Sequence, residues 1–221
     1  MKKTLLLLTL FGIAIVSAQE TDSIRKYPKV DIYLGLGAQF NNGFNLNSNL
    51  KNTGMPVIQE VLPEFAIGFN LLGETYLVDV ELATAWMDRR NNLARNQMTE
   101  FTTRGRGHYN FVNDKRWILS GGLNLAFSRN DLNLSSRNNE IDLSDLNPET
   151  QSNHISLRNH MLYAGPSIGI QLKRKEKLIA RLNVGYEFAL TNGKWKSDFA
   201  TVRNTVKEQG VNRFMVGVTI F

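Results

Sequence analysis

From residue 30 onward, apolar side chains recur at every second position in stretches of about ten residues, the length a tilted strand needs to cross a bilayer. In the first stretch Ile32, Leu34, Leu36, Ala38 and Phe40 share one face, and Asp31, Tyr33, Gly35, Gly37 and Gln39 share the other. The second sets Phe65, Ile67, Phe69 and Leu71 against Glu64, Ala66, Gly68 and Asn70. The third sets Tyr76, Val78, Val80, Leu82 and Trp86 against Asp79, Glu81, Ala83 and Ala85. The fourth is weaker, with Phe101, Thr103, Gly105, Gly107, Tyr109 and Phe111 opposite Arg104, Arg106, His108 and Asn110. In the fifth, Trp117, Leu119, Leu123, Leu125 and Phe127 oppose Ser120, Gly122, Asn124 and Ser128. The sixth opposes Leu162, Ala164, Ile168 and Ile170 to Tyr163, Gly165, Ser167, Gly169 and Gln171. The seventh opposes Ala180, Leu182, Val184, Tyr186, Phe188 and Leu190 to Arg181, Asn183, Gly185 and Glu187, and the eighth runs from Val211 to Phe221. In that last stretch Phe214, Val216, Val218 and Ile220 form the apolar face and Gly217 the other. Phe221 then has the wrong parity, so either it twists outward at the rim or a bulge resets the register.

Period two fits a soluble sandwich as well as a membrane barrel, and the connections separate the two. They span 41–59, 73–75, 88–98, 113–116, 129–157, 173–177 and 191–209, alternating longer with shorter. Transmembrane barrels sort their loops in this way, with tight turns on one side and long loops on the other, and a sandwich has no reason to. Trp117 at the turn side, with Trp86 and Phe127 at the loop side, suits interfacial aromatic girdles. The expected fold is all-β: an eight-stranded antiparallel up-and-down transmembrane β-barrel over residues 30–221.

The start of the chain breaks this pattern. Lys2 and Lys3 precede an apolar run from Leu5 to Val16, and Val16-Ser17-Ala18 supplies small residues at cleavage positions. A secretory signal peptide is expected over 1–18, too short to span a bilayer, followed by a short periplasmic segment over 19–29. The sequence contains no cysteine, which excludes a lipid-anchored precursor, disulfides and thiolate metal sites. Without Lys2 and Lys3 the chain keeps 24 basic against 20 acidic residues, net +4 and unclustered, so nucleic-acid binding has no support.

The signal peptide, the eight segments, the Ala164–Leu172 stretch AGPSIGIQL and the terminal Val-Gly-Val-Thr-Ile-Phe together resemble the small outer-membrane β-barrel domain superfamily, the group that includes the OmpA transmembrane domain and PorT-like barrels. The resemblance implies a Gram-negative outer-membrane location and lipopolysaccharide among the surrounding lipids. It also implies handling by the barrel-assembly machinery, for which Phe221 resembles the terminal signal. No peptidoglycan-binding domain is expected after Phe221.

The polar face places Asp31, Glu64, Asp79, Glu81 and Glu187 in one lumen with Arg104, Arg106 and Arg181. Eight strands leave room only for side chains, and an unpaired buried charge costs several kcal/mol, so these groups should pair and plug the barrel. Gly35, Gly37, Gly68, Gly122, Gly165, Gly169 and Gly185 on that face would make room for the large side chains. Gly105 and Gly107 fall instead on the lipid face, where glycine suits a bend, a neighbouring aromatic or a flat docking patch.

Catalytic chemistry is thinly represented among the three histidines. His108 lies between two arginines. His154-Ile155-Ser156 loosely resembles the His-x-Ser of lipid A deacylase barrels, without that motif's neighbours and without an orienting acid. Glu140, Asp142, Asp145 and Glu149 make the third long loop acidic, without the tight Asp/Asn/Gly arrangement of a calcium loop. Lys194-Trp195-Lys196 suits an interfacial anchor, or a contact with lipopolysaccharide phosphates. The expected function is a non-enzymatic structural, accessory or binding component of the outer membrane, within a larger outer-membrane complex or alone, with no cofactor. A small-solute channel and a His154/Ser156 deacylase stand as alternatives.

Overall fold

The computed structural model describes residues 28–137, 153–175 and 177–221. The leader expected over 1–18 and the acidic residues 140–149 lie outside them. Eight strands follow in chain order: β1 (Lys29–Asn41), β2 (Val61–Leu72), β3 (Tyr76–Arg90), β4 (Ala94–Asn113), β5 (Trp117–Ser136), β6 (His154–Arg174), β7 (Lys177–Ala189) and β8 (Arg213–Ile220). Each pairs antiparallel with its chain neighbour, and β8 returns to β1 through the register Leu34↔Ile220 to Asn41↔Arg213, closing the barrel. Closure removes the open sheet edge that lipid could not hydrogen-bond.

Side chains alternate inward and outward along the strands, as period two requires, with breaks where the register shifts near the turn side at Asn110/Val112 and Leu172/Lys173. Outward positions form a continuous apolar belt; Ile32, Leu36 and Leu123 are each about 70% exposed, at 72%, 68% and 68%. A belt of this extent is unfavourable in water and suits hydrocarbon. Exposed Tyr76, Tyr109, Phe111 and Trp117 rim the turn side, and exposed Trp86, Phe101, Phe127 and Phe40 rim the loop side.

Two of the long connections are shorter than the sequence pattern implies. Residues 88–98 are mostly strand: β3 runs to Arg90, β4 starts at Ala94, and Asn91 Oδ1 accepts the Leu93 and Ala94 amides at 2.9 and 2.8 Å to form the tip. Within 129–157, β5 continues to Ser136 and β6 begins at His154. Beyond the bilayer a strand no longer needs an apolar outer face, so the alternation persists there with polar outward residues such as Gln97 and Thr99. The result is a four-stranded blade, β3–β6, standing above the barrel on the loop side. Above Ala189, the last β7 residue paired with β6, the β6 edge is bridged by Lys196, which exchanges backbone hydrogen bonds with Arg158 at 2.7 and 2.8 Å.

The other two long connections fold over the barrel mouth. The β1–β2 connection carries the short helix α1 (Asn47–Asn52), whose Leu50 points into the mouth. There it joins Phe44, Ile58, Met98 and Leu132, with Trp195 and Val211 from the β7–β8 connection, in one buried apolar cluster.

Candidate functional site

The lumen is filled in three layers. The apolar lid just described closes the loop side. At the turn side Leu72, Leu77, Ile118 and Leu178 form an apolar floor, and Phe221 packs against them. Phe221 therefore neither twists outward nor follows a bulge: its ring turns inward, 5.6 Å from Tyr33 and 5.7 Å from the Arg181 guanidinium. The physical reason lies in the floor, which offers the terminal ring an apolar seat beneath two inward side chains.

Between lid and floor lies a charged layer. Arg104, fully buried, bonds Glu64 at 3.1 Å, Glu187 at 3.0 Å, and Glu81. Below it Arg106 pairs with Asp79 at 3.0 Å and Glu81 at 2.7 Å, and Arg181 reaches Asp79 at 2.7 Å. The Tyr33 hydroxyl donates to Glu81 at 3.1 Å, and the ring lies over Gly68, where a Cβ would fall 2.5 Å from the phenol. That glycine is required by the ring above it. The structure thus brings together Glu64, Asp79, Glu81, Arg104, Arg106, Arg181 and Glu187. Asp31 stands apart, at the turn-side end of β1 opposite Asn70, with no ion pair among the described residues.

Sequence reasoning missed the upper part of the layer. Arg213 pairs with Glu187 and Glu100, and its guanidinium stacks 4.1 Å over Tyr163. Gln39 donates to Glu64 and Glu100 and accepts from Arg213, and the Thr102 hydroxyl donates to Glu100 at 2.7 Å. The parity that placed Arg104 inward also places Thr102 inward, and Glu100 once the fourth stretch is extended upward. Similarly, an outward Phe214 implies an inward Arg213. His108 bonds Ser120 at 3.1 Å and Ser167 at 2.7 Å, joining three strands, with no carboxylate hydrogen-bonded to it among the described residues. The space beside Glu81, Arg106 and Ser167 measures about 20 Å³, the room of a single water.

At the loop side His154 and Ser156 lie on β6 opposite Ser135 and Asn133; among the described residues no hydrogen bond joins them and no carboxylate accepts from His154. Trp195 is not an interfacial anchor. It is 2% exposed, and its indole N–H donates to Glu208 at 2.9 Å. In 194–196 the residues alternate as in a strand, so the ring turns into the lid while both lysines face water. Glu208 also accepts the Asn45 and Leu46 amides at 2.7 and 3.2 Å, tying the two mouth connections together. Burial pushes its carboxyl above the usual range, against these hydrogen bonds. On the blade, Asp88 pairs with Arg90 at 2.9 Å and Arg95 at 2.6 Å, while Asp131 pairs with Arg129 at 2.9 Å and Arg158 at 2.8 Å.

A closed antiparallel eight-stranded barrel with an apolar outer belt and a filled lumen defines a small transmembrane β-barrel. No protein-family model matches the chain, and no curated protein matches it. Among solved structures it is similar to Ail, the attachment invasion locus protein of Yersinia pestis, at 11% identity and a TM-score of 0.48, over 88% of this chain and 98% of that one. Ail has also been solved in complex with the heparin analogue sucrose octasulfate. Neisserial surface protein A gives 12% identity and a TM-score of 0.48, over 87% and 98%. CarO2 of Acinetobacter baumannii gives 9% and 0.35, over 87% and 99%. The barrel assignment rests on this chain's own strand ladders and not on these likenesses.

Proposed function

We propose that this chain is a non-enzymatic outer-membrane barrel, exported with a cleaved leader over 1–18, that acts as a structural or binding component through its outer wall and external blade. The observation that carries the reading is the three-layer filling of the lumen, apolar lid, paired charges and apolar floor, which leaves the wall and the blade as the surfaces a partner can reach. Insertion by the barrel-assembly machinery, contact with lipopolysaccharide and membership of a larger outer-membrane complex belong to the same proposal. A channel would need an open polar path, and a deacylase would need His154 activating Ser156; neither arrangement favours those alternatives here.

The absence of native cysteine makes the topology directly measurable. A single cysteine at Leu93, on a blade tip, should react on intact cells with a membrane-impermeant maleimide. One at Glu74, in a short turn, should react only after the envelope is opened. Equal labelling of both on intact cells would overturn the reading. Lipid A from cells carrying Ser156→Ala should be identical by mass spectrometry to that from cells with the unchanged protein.

A further inference from the structure

Two features coincide on the outer wall of β3–β6. The first is a groove of about 770 Å³ at bilayer height. Its floor is Gly105 and Gly107, walled by Val78 and Val80 on one side and Leu123 and Leu125 on the other. Among the described residues a Cβ at Gly107 would meet nothing within 4 Å, and one at Gly105 nothing closer than 4.0 Å, so neither glycine makes room for a neighbouring aromatic.

The second feature stands directly above. The ladders set Phe101 beside Arg129 and His160, and Thr99 beside Asp131 and Arg158. Arg129, His160 and Arg158 thus follow the external aromatic rim on the same strands, and Lys196 is fastened to the Arg158 backbone. All three cations lie within electrostatic reach of His160. Asp131, between the guanidiniums, and Asp198, 2.8 Å from Arg158, orient the cluster. The Arg129 and Arg158 side chains remain 42% and 33% exposed, open to a further anion. Just beyond the rim residues Phe40, Val61 and Phe188, the exposed residues that continue β1, β2 and β7 are Asn42, Glu60 and Leu190, with no cation among them. From Leu125 to Arg129 along β5 is about 13 Å at ~3.3 Å per residue, so an acyl chain in the groove would bring its headgroup to the cations.

We propose that this face binds one phosphorylated lipid of the external leaflet, the diphosphorylated glycolipid lipid A. One acyl chain lies over Gly105 and Gly107, and a phosphate is held by Arg129, Arg158 and Lys196. Guanidinium pairs hold phosphate oxygens bidentately, and an apolar groove within a bilayer takes hydrocarbon. The assignment rests on the outer-membrane reading, because it needs the blade side to be the external leaflet.

The test is native mass spectrometry of the full chain folded in detergent, offered diphosphoryl lipid A, fully dephosphorylated lipid A or phosphatidylglycerol at equal concentration. Each preparation is first checked for the heat-modifiable migration of a folded barrel. Diphosphoryl lipid A should be retained at one molecule per barrel. Retention should fall at least about tenfold, the effect of roughly one lost charge-assisted contact, in Arg129→Gln/Arg158→Gln/Lys196→Gln, and likewise in Gly105→Val/Gly107→Leu, which fills the groove. Equal retention by either variant, or of the dephosphorylated lipid, overturns the proposal, as does preference for phosphatidylglycerol. Failure to form a heat-modifiable barrel in any of these media would instead overturn the outer-membrane reading, and the proposal with it.

Discussion

Arg104 shows how one residue organises the interior: its guanidinium faces Glu64, Glu81 and Glu187 from three different strands with no contact to water. Removing one partner of a buried ion pair leaves charges uncompensated, so Arg104→Ala should cost about 3–5 kcal/mol, measured as urea unfolding in detergent followed by loss of the heat-modifiable band. Arg129→Gln, at a half-exposed position, should change stability by less than about 1 kcal/mol. Phe221 gives a second residue-scale expectation. Phe221→Ala should destabilise the barrel by about 2 kcal/mol, below the range for fully buried rings, because the side chain completes the floor. A purely outward assembly signal would leave the unfolding midpoint unchanged. Most of the charged layer was legible because parity alone sends Glu64, Asp79, Glu81, Arg104, Arg106, Arg181 and Glu187 inward. Parity says nothing about height, which is why Asp31 shares the face and not the network.

Among elements, the strands were visible and their ends were not. Expecting bilayer-length strands cut β4 at Phe101 and so hid Glu100, while the ladder in fact runs on to Ala94. The mouth connections were illegible for a different reason: Trp195 and Leu50 are buried by contacts between loops far apart in sequence, which no local period encodes. Blade and lid should respond oppositely to pH. On the blade, hydrogen bonds from Arg95 and Arg90 hold the Asp88 carboxyl well below the usual range. At Asp131, burial pushes upward and is outweighed by hydrogen bonds from Arg158 and Arg129. A lowered acid contributes stability above its ordinary pKa and loses it as pH falls through the lowered value. In the lid, Glu208 is raised, so its contribution is complete below the ordinary carboxylate pKa and is lost as pH rises through the raised value. Hydrogen exchange should therefore show blade amides opening on strong acidification while the Trp195 indole N–H becomes better protected. Glu208→Gln should flatten the indole response alone; an unchanged response would remove Glu208 from its role as the tie between the mouth connections.

At the scale of the whole molecule, the described residues fill the barrel from mouth to floor. Eight strands close a circle too narrow for a pore, and the sequence fills it with matched charges capped at both ends by apolar side chains. The space beside Glu81 and Arg106 is about 20 Å³. What remains available to partners is asymmetric: a cationic, grooved face and a four-stranded blade on the β3–β6 side, and a plain apolar wall elsewhere. That asymmetry was only half legible, since the sequence places Gly105 and Gly107 on the lipid face but cannot show that no described residue covers them. The closed lumen is the claim on which the rest depends, and single-channel recording in a planar bilayer tests it most directly. Folded protein, verified by heat-modifiable migration, should give no steady conductance at moderate voltage. Reproducible, long-lived current steps from the folded barrel would show a continuous polar path and contradict the account.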